Sequence, residues 1–108
     1  MNLRVIVIDD HTLFREGLEG LLTRRDIEVV ASVGEGEKGI ELAQELKPDI
    51  ILLDIMMPEM DGFELLELLK RDHPQMTVMM MTAYGGVDMA VEAMRQGAYD
   101  FITKPFDH

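Results

Sequence analysis

Apolar residues recur along this chain in two alternating rhythms. Leu3 to Ile8 is apolar apart from Arg4, and Ile50 to Leu53 has no polar break. Thr77 to Met81 and Tyr99 to Thr103 are two more short runs, and Ile27 to Val33 is a fifth that carries Glu28 and Ser32. Runs without alternation suit strands buried on both faces, as in a parallel sheet, and the polar pair in Ile27–Val33 suits an edge. Between the runs the spacing changes to three and four. Leu13, Phe14, Leu18, Leu21 and Leu22 mark one helix, and Ile40, Ala43 and Leu46 a second. Phe63, Leu66 and Leu69, with Leu65 and Leu68 beside them, mark a third; Met89, Ala90, Ala93 and Met94 mark a short fourth.

Punctuation between these segments agrees with the rhythm. Gly34 and Gly36 predict the turn before the second helix, and Pro48 its stop. Pro58 and Gly62 end the third strand. Asp61 and Glu64 have capping-box spacing, so the third helix is predicted to start there. Pro74 follows its end, and Gly97 is placed to close the fourth helix at C′. Ala83-Tyr84-Gly85-Gly86 reads as a loop whose glycines suggest mobility. The order is βα four times and then a strand, which predicts parallel βαβ units with right-handed crossovers. With 108 residues and no linker or repeat, one domain is expected.

Composition narrows the function classes. A net charge of −11 offers no basic face for nucleic acid or for an acidic membrane surface. A cation, or a basic patch on another protein, is the better match. The absence of cysteine excludes disulfides and thiolate metal sites. No run reaches membrane-spanning length and the N-terminus has no leader pattern, so a cytoplasmic location is the expectation. The ten methionines are read as core filling rather than a binding surface.

The candidate chemistry sits at the strand ends. The first strand ends on Asp9 and Asp10, the third on Asp54, the fourth on Thr82 and the fifth on Lys104. Taken singly, each Asp caps a turn, Thr82 turns a loop and Lys104 is solvated. Parallel strands, however, deliver all their carboxyl ends to one rim, where open α/β sheets bind ligands. Three carboxylates there call for a cation, and an oxygen-only ligand set points to Mg²⁺ or Mn²⁺. An ionised Asp54 is already a nucleophile toward phosphorus and needs no general base. Lys104 and the Thr82 hydroxyl are suited to the oxygens of a transferring phosphoryl group.

Asp9-Asp10, Leu53-Asp54-Ile55-Met56-Met57-Pro58-Glu59-Met60-Asp61-Gly62, Thr82-Ala83 and Lys104-Pro105-Phe106 together resemble the receiver domain of two-component response regulators. The resemblance spans nearly the whole chain. It implies a flavodoxin-like, doubly wound five-stranded parallel sheet in the order 2-1-3-4-5, with helices on both faces. It implies a phosphoacceptor switch rather than an enzyme, taking phosphate on Asp54 from a sensor histidine kinase or phosphotransfer protein and promoting its own phosphorylation and dephosphorylation. Asp10, Asp54 and the Met56 carbonyl would hold Mg²⁺, with Asp9 acting largely through water. Lys104 would pair with the phosphoryl group, Thr82 would move toward it, and Phe101 would rotate inward behind Thr82. The Lys104-Pro105 peptide would be cis, and the fourth-helix and fifth-strand face would be the candidate homodimer surface.

Two positions depart from the family's usual choices: Met56, where a polar side chain is common, and bulky Tyr84. His11 is read as a loop residue leading into the first helix, not a ligand. One rival is a phosphatase of the haloacid dehalogenase type, but its Asp-x-Asp motif is absent from Asp9-Asp10-His11 and no cap domain is present. Another is a receiver-like binding module without phosphoryl chemistry, against which the full Asp, Thr and Lys set counts. Asp10 to Leu18 resembles receivers joined to LuxR-type DNA-binding domains, and Thr82 to Phe106 those of NtrC or FixJ type. A single receiver over 1–108, truncated before its fifth helix and any transcription-regulating output domain, is therefore expected. An apolar patch is then predicted near Val5 or Val7, Ile102 and the first helix.

Overall fold

A pleated strand sends successive side chains to opposite faces, so a strand covered on both sides is apolar throughout. The computed structural model of the protein, which describes residues 3–57, 61–83 and 87–104, has five parallel strands, the central three of this kind. They are β1 (Arg4–Ile8), β2 (Glu28–Val33), β3 (Ile50–Asp54), β4 (Thr77–Thr82) and β5 (Asp100–Thr103). All pairs are parallel and the order is β2-β1-β3-β4-β5, with β2 at an edge as its polar residues predicted. The connecting helices are α1 (Thr12–Arg24), α2 (Gly36–Leu46), α3 (Gly62–Asp72) and α4 (Val87–Arg95).

The helices divide unevenly between the faces. Ile6, Ile8, Ile51, Leu53, Val78 and Met80 turn to one face and are sealed by Ala43 of α2, Leu65, Leu66 and Leu69 of α3, and Ala93 of α4. Val5, Val7, Leu52 and Met81 turn to the other, where among the described residues the helix that meets them is α1, through Phe14, Leu18 and Leu22. No residue of α1 is buried. The result is an apolar cavity of about 460 Å³, floored by Leu52, Met79 and Met81 and walled by α1 and Ile102. The predicted patch is thus present and includes Val5, but Val7 is fully buried under α1 and takes no part.

Local signals mostly act as anticipated. Gly97, at φ 103°, closes α4: its N–H donates to the Met94 carbonyl and the Ala98 N–H to the Ala93 carbonyl, the paired bonds of a Schellman end. The side chain of Asp61 accepts from the Phe63 N–H at 2.8 Å and caps α3. Gly36 is a correction: it is the first, buried residue of α2, and extended Glu35 makes the turn into the helix. Helix α2 stops at Leu46, one residue earlier than Pro48 requires, on a left-handed Lys47. Arg4, the polar break in the first run, donates to the carbonyls of Leu46 and Lys47, which a helix end leaves unpaired. The methionines fill the core at Met80 and Met81, whereas Met56 and Met94 are about half exposed. The expected glycine loop at 84–86 and the cis Lys104-Pro105 peptide lie outside the described residues.

Candidate functional site at the carboxyl rim

Register decides which side chains meet. Ile8 pairs with Leu53, so Asp9 and Asp54 leave the sheet side by side. Thr82 pairs with Thr103, which brings Lys104 into the same row. By the pleat, Asp9 follows Val5 and Val7, Asp54 follows Ile50 and Leu52, and Lys104 follows Ile102, all toward the α1 face. The row therefore leans over the thinner layer of the fold.

Each of the two inner carboxylates divides its oxygens between structure and site. Asp9 Oδ1 accepts from the His11 N–H at 2.8 Å, and Asp54 Oδ1 from the Met56 N–H at 3.2 Å. These are the turn caps of the simpler reading. The other oxygens face Lys104, whose Nζ lies 2.7 Å from Asp9 Oδ2 and 3.4 Å from Asp54 Oδ2. Asp9, Asp54, Thr82 and Lys104 are all buried, and Asp10 is exposed beside them. The β3–α3 loop is drawn tight here: the Gly62 N–H donates to the Ile55 carbonyl at 3.0 Å. A Cβ on Gly62 would lie 2.5 Å from Ile55 Cα and 2.9 Å from the Asp54 carbonyl, so only glycine starts α3 this close. Of the predicted capping box, the Asp61 half is observed and Glu64 is exposed.

Burial, and then the charge of Asp9, raise the Asp54 carboxyl from 3.8 to about 6; Lys104 and the Met56 N–H pull it partly back. Carboxylate oxygens of Asp9, Asp10 and Asp54 lie within 4.8 Å of one another. Lys104 offsets one of the three charges through its 2.7 Å ion pair with Asp9 Oδ2. An all-oxygen set with two net negative charges fits a hard divalent cation.

The sequence-predicted residues Asp9, Asp10, Asp54, Met56, Thr82 and Lys104 do share one rim. Phe101 does not point into it: paired with Met80, it packs against the core on the opposite face from Lys104. His11 is the exposed N-cap of α1 and caps through its backbone only. Two neighbours had gone unforeseen. Arg15 donates to the Asp9 carbonyl at 2.7 Å, and Phe14 lays its ring 4.6 Å from Lys104 Nζ. Phe14 lies on the apolar stripe of α1, which marked it for packing and not for the rim, and charged Arg15 beside it carried no periodic signal. A separate open cleft of about 630 Å³ between Asp10, Met56, Asp61 and Met89 adjoins the site.

Comparison with known proteins agrees with this geometry. The family model described as the response regulator receiver domain matches residues 5–108. The chemotaxis protein CheY of Listeria monocytogenes is 40% identical over 104 residues, covering 96% of this chain and 87% of that protein. The response regulator domain of Thermotoga maritima CheB superposes with a TM-score of 0.88 at 38% identity, over 97% of this chain and 80% of that one. CheY in the CheX-CheY-BeF3-Mg complex of Borrelia burgdorferi superposes at 0.89 with 28% identity, over 97% and 80%. With the sheet order, the acidic rim and a family match over nearly all its length, this chain belongs to the response regulator receiver family.

Proposed function

We propose that this receiver takes a phosphoryl group on Asp54 and relays it as a change of shape. A receiver serves phosphorelay signalling; the residue and the chemistry are our reading. The observation that carries it is the pairing of Asp54 Oδ2 and Asp9 Oδ2 with one buried ammonium beside a third carboxylate. In the step, an Asp54 oxygen attacks phosphorus while the P–N bond of a phosphohistidine breaks. The imidazole leaves with the bonding pair and takes up a proton, and an acyl phosphate remains on Asp54. Lys104 is within reach of the new phosphoryl oxygens and exchanges part of its hold on Asp9 for them. Thr82, buried at the end of β4, supplies the hydroxyl that follows them. Asp10, Asp54 and the Met56 carbonyl, with Asp9 outside them, are the residues that would hold Mg²⁺. Its charge, when bound, neutralises the oxygens gathered at phosphorus.

Readout belongs to the face made by α4 and β5. Val87, Val91 and Met94 on α4, with Tyr99 just before β5, are exposed apolar residues and support a protein-binding or self-pairing face there. Phe101, under α4, is the residue we assign to transmit the change. The Borrelia CheY complex, whose name includes Mg and beryllium fluoride, supports the same chemistry by likeness.

The test is intact-mass measurement after acetyl phosphate and Mg²⁺. Wild type gains one phosphate that is base-labile and acid-stable, and Asp54→Asn gains none. Equal gain in the variant overturns the assignment of Asp54.

A further inference from the structure

We infer that Phe14 is a positioning residue for Lys104, holding the ammonium at the rim through its ring face. The inference rests on the reading of Asp54 above and extends it to a residue outside the Asp, Thr and Lys set read from the strand ends. Lys104 Nζ lies 4.6 Å from the centroid of the Phe14 ring, inside the range of cation–π attraction. Its side chain is only 3% exposed, so water screens the contact little. Phe14 is half-buried on the first turn of α1, packed on the cluster of Val5, Val7, Leu52 and Met81. That packing fixes the ring from below.

The ring solves a problem that the two carboxylates create. Lys104 sits closer to Asp9 (2.7 Å) than to Asp54 (3.4 Å). To serve a phosphoryl group on Asp54 the ammonium must give up part of a short, buried ion pair. Another carboxylate or carbonyl would hold it at a fixed angle. An aromatic face attracts a cation without demanding one direction for each N–H, so the ammonium can pivot between partners and stay attracted throughout. The ring also keeps water from the ammonium on its side, which strengthens the attraction to whichever oxygen it faces. An aliphatic residue at position 14 would fill the space and exclude the water, but would not attract the charge.

The test compares Phe14→Leu, Phe14→Met and Phe14→Tyr in the full chain. The rate of Asp54 phosphorylation by acetyl phosphate in Mg²⁺ is followed by intact mass, with Asp54→Asn alongside. The ring-current shift of the Lys104 ε-methylene protons is read by NMR as the signature of the contact. Phe14→Leu should lose that shift and label about fivefold more slowly, a loss in keeping with a largely desolvated cation–π contact. Phe14→Met, with a long flexible chain and no ring, should do the same even if leucine packs poorly. Phe14→Tyr should keep the shift and label within twofold of wild type. A purely structural role would instead tie the rate to the melting temperature across the three variants. Wild-type rates in Phe14→Leu and Phe14→Met, with no labelling in Asp54→Asn, overturn the role of the ring and leave the phosphoacceptor standing. Continued labelling of Asp54→Asn overturns the phosphoacceptor, and this proposal with it.

Discussion

On one face of the sheet, three helices seat Leu53, Leu66 and Met80 without solvent contact; on the other, among the described residues, α1 alone stands over the sheet with Leu13 82% exposed. The strands between the faces are equally apolar on both sides. What differs is the second layer, and the row of Asp9, Asp54 and Lys104 leans to the thin side. Among the described residues, the buried core is denser on the three-helix face, and the polar row lies over the face that α1 covers. The two faces therefore should respond differently to the same kind of change.

The largest effect belongs to the sealed face. Leu53→Ala removes a fully buried side chain from between β3 and its helices and should cost roughly 2–5 kcal/mol in urea unfolding. A cost well under 1 kcal/mol would deny that this face holds the stability.

Next in size is a gain. Asp54 has its carboxyl raised to about 6, above its unfolded 3.8, so the folded state binds more protons between those values. Stability from this group is therefore full below about pH 4 and is lost as pH rises through about 6. Asn keeps the shape and cannot ionise. Without divalent cation, Asp54→Asn should match wild type near pH 4 and exceed it by roughly 2 kcal/mol at pH 7.5. An equal or lower stability of the variant at pH 7.5 would show that the rim is not strained by its charges.

The smallest effect is on the open face. Met79 floors the cavity and is only partly buried, so its side chain already borders space. Met79→Ala should cost about 1 kcal/mol or less, well below Leu53→Ala. Equal costs would erase the difference between the faces.

Much of this was legible from the residues, for physical reasons. Strands announce themselves when both faces are covered, and a parallel sheet turns five strand ends into one rim. That is why Asp9, Asp54, Thr82 and Lys104 could be assembled from separate segments. Sheet order was not in the rhythm; it came with the family resemblance. The hydrophobic pattern also cannot say which helix lies on which face, so Phe14 looked like any other core position of α1. The grip of Arg15 on the Asp9 carbonyl and of Arg4 on the end of α2 are long-range side-chain contacts that leave no periodic trace. Gly36 was misjudged because a glycine marks close packing as readily as a turn; here it is buried at the start of α2.

On the function proposed above, the charges of the carboxyl rim serve a cation and a phosphoryl group, not stability. The most direct measurement is a thermal melt under Mg²⁺ titration at pH 7.5, in wild type and Asp10→Asn. Binding to the native state alone raises the melting temperature by mass action, about 2.7 kcal/mol at a hundredfold excess over the dissociation constant. Wild type should show a saturable rise and Asp10→Asn should lose most of it. An equal rise in both proteins, or none in wild type, would contradict the account.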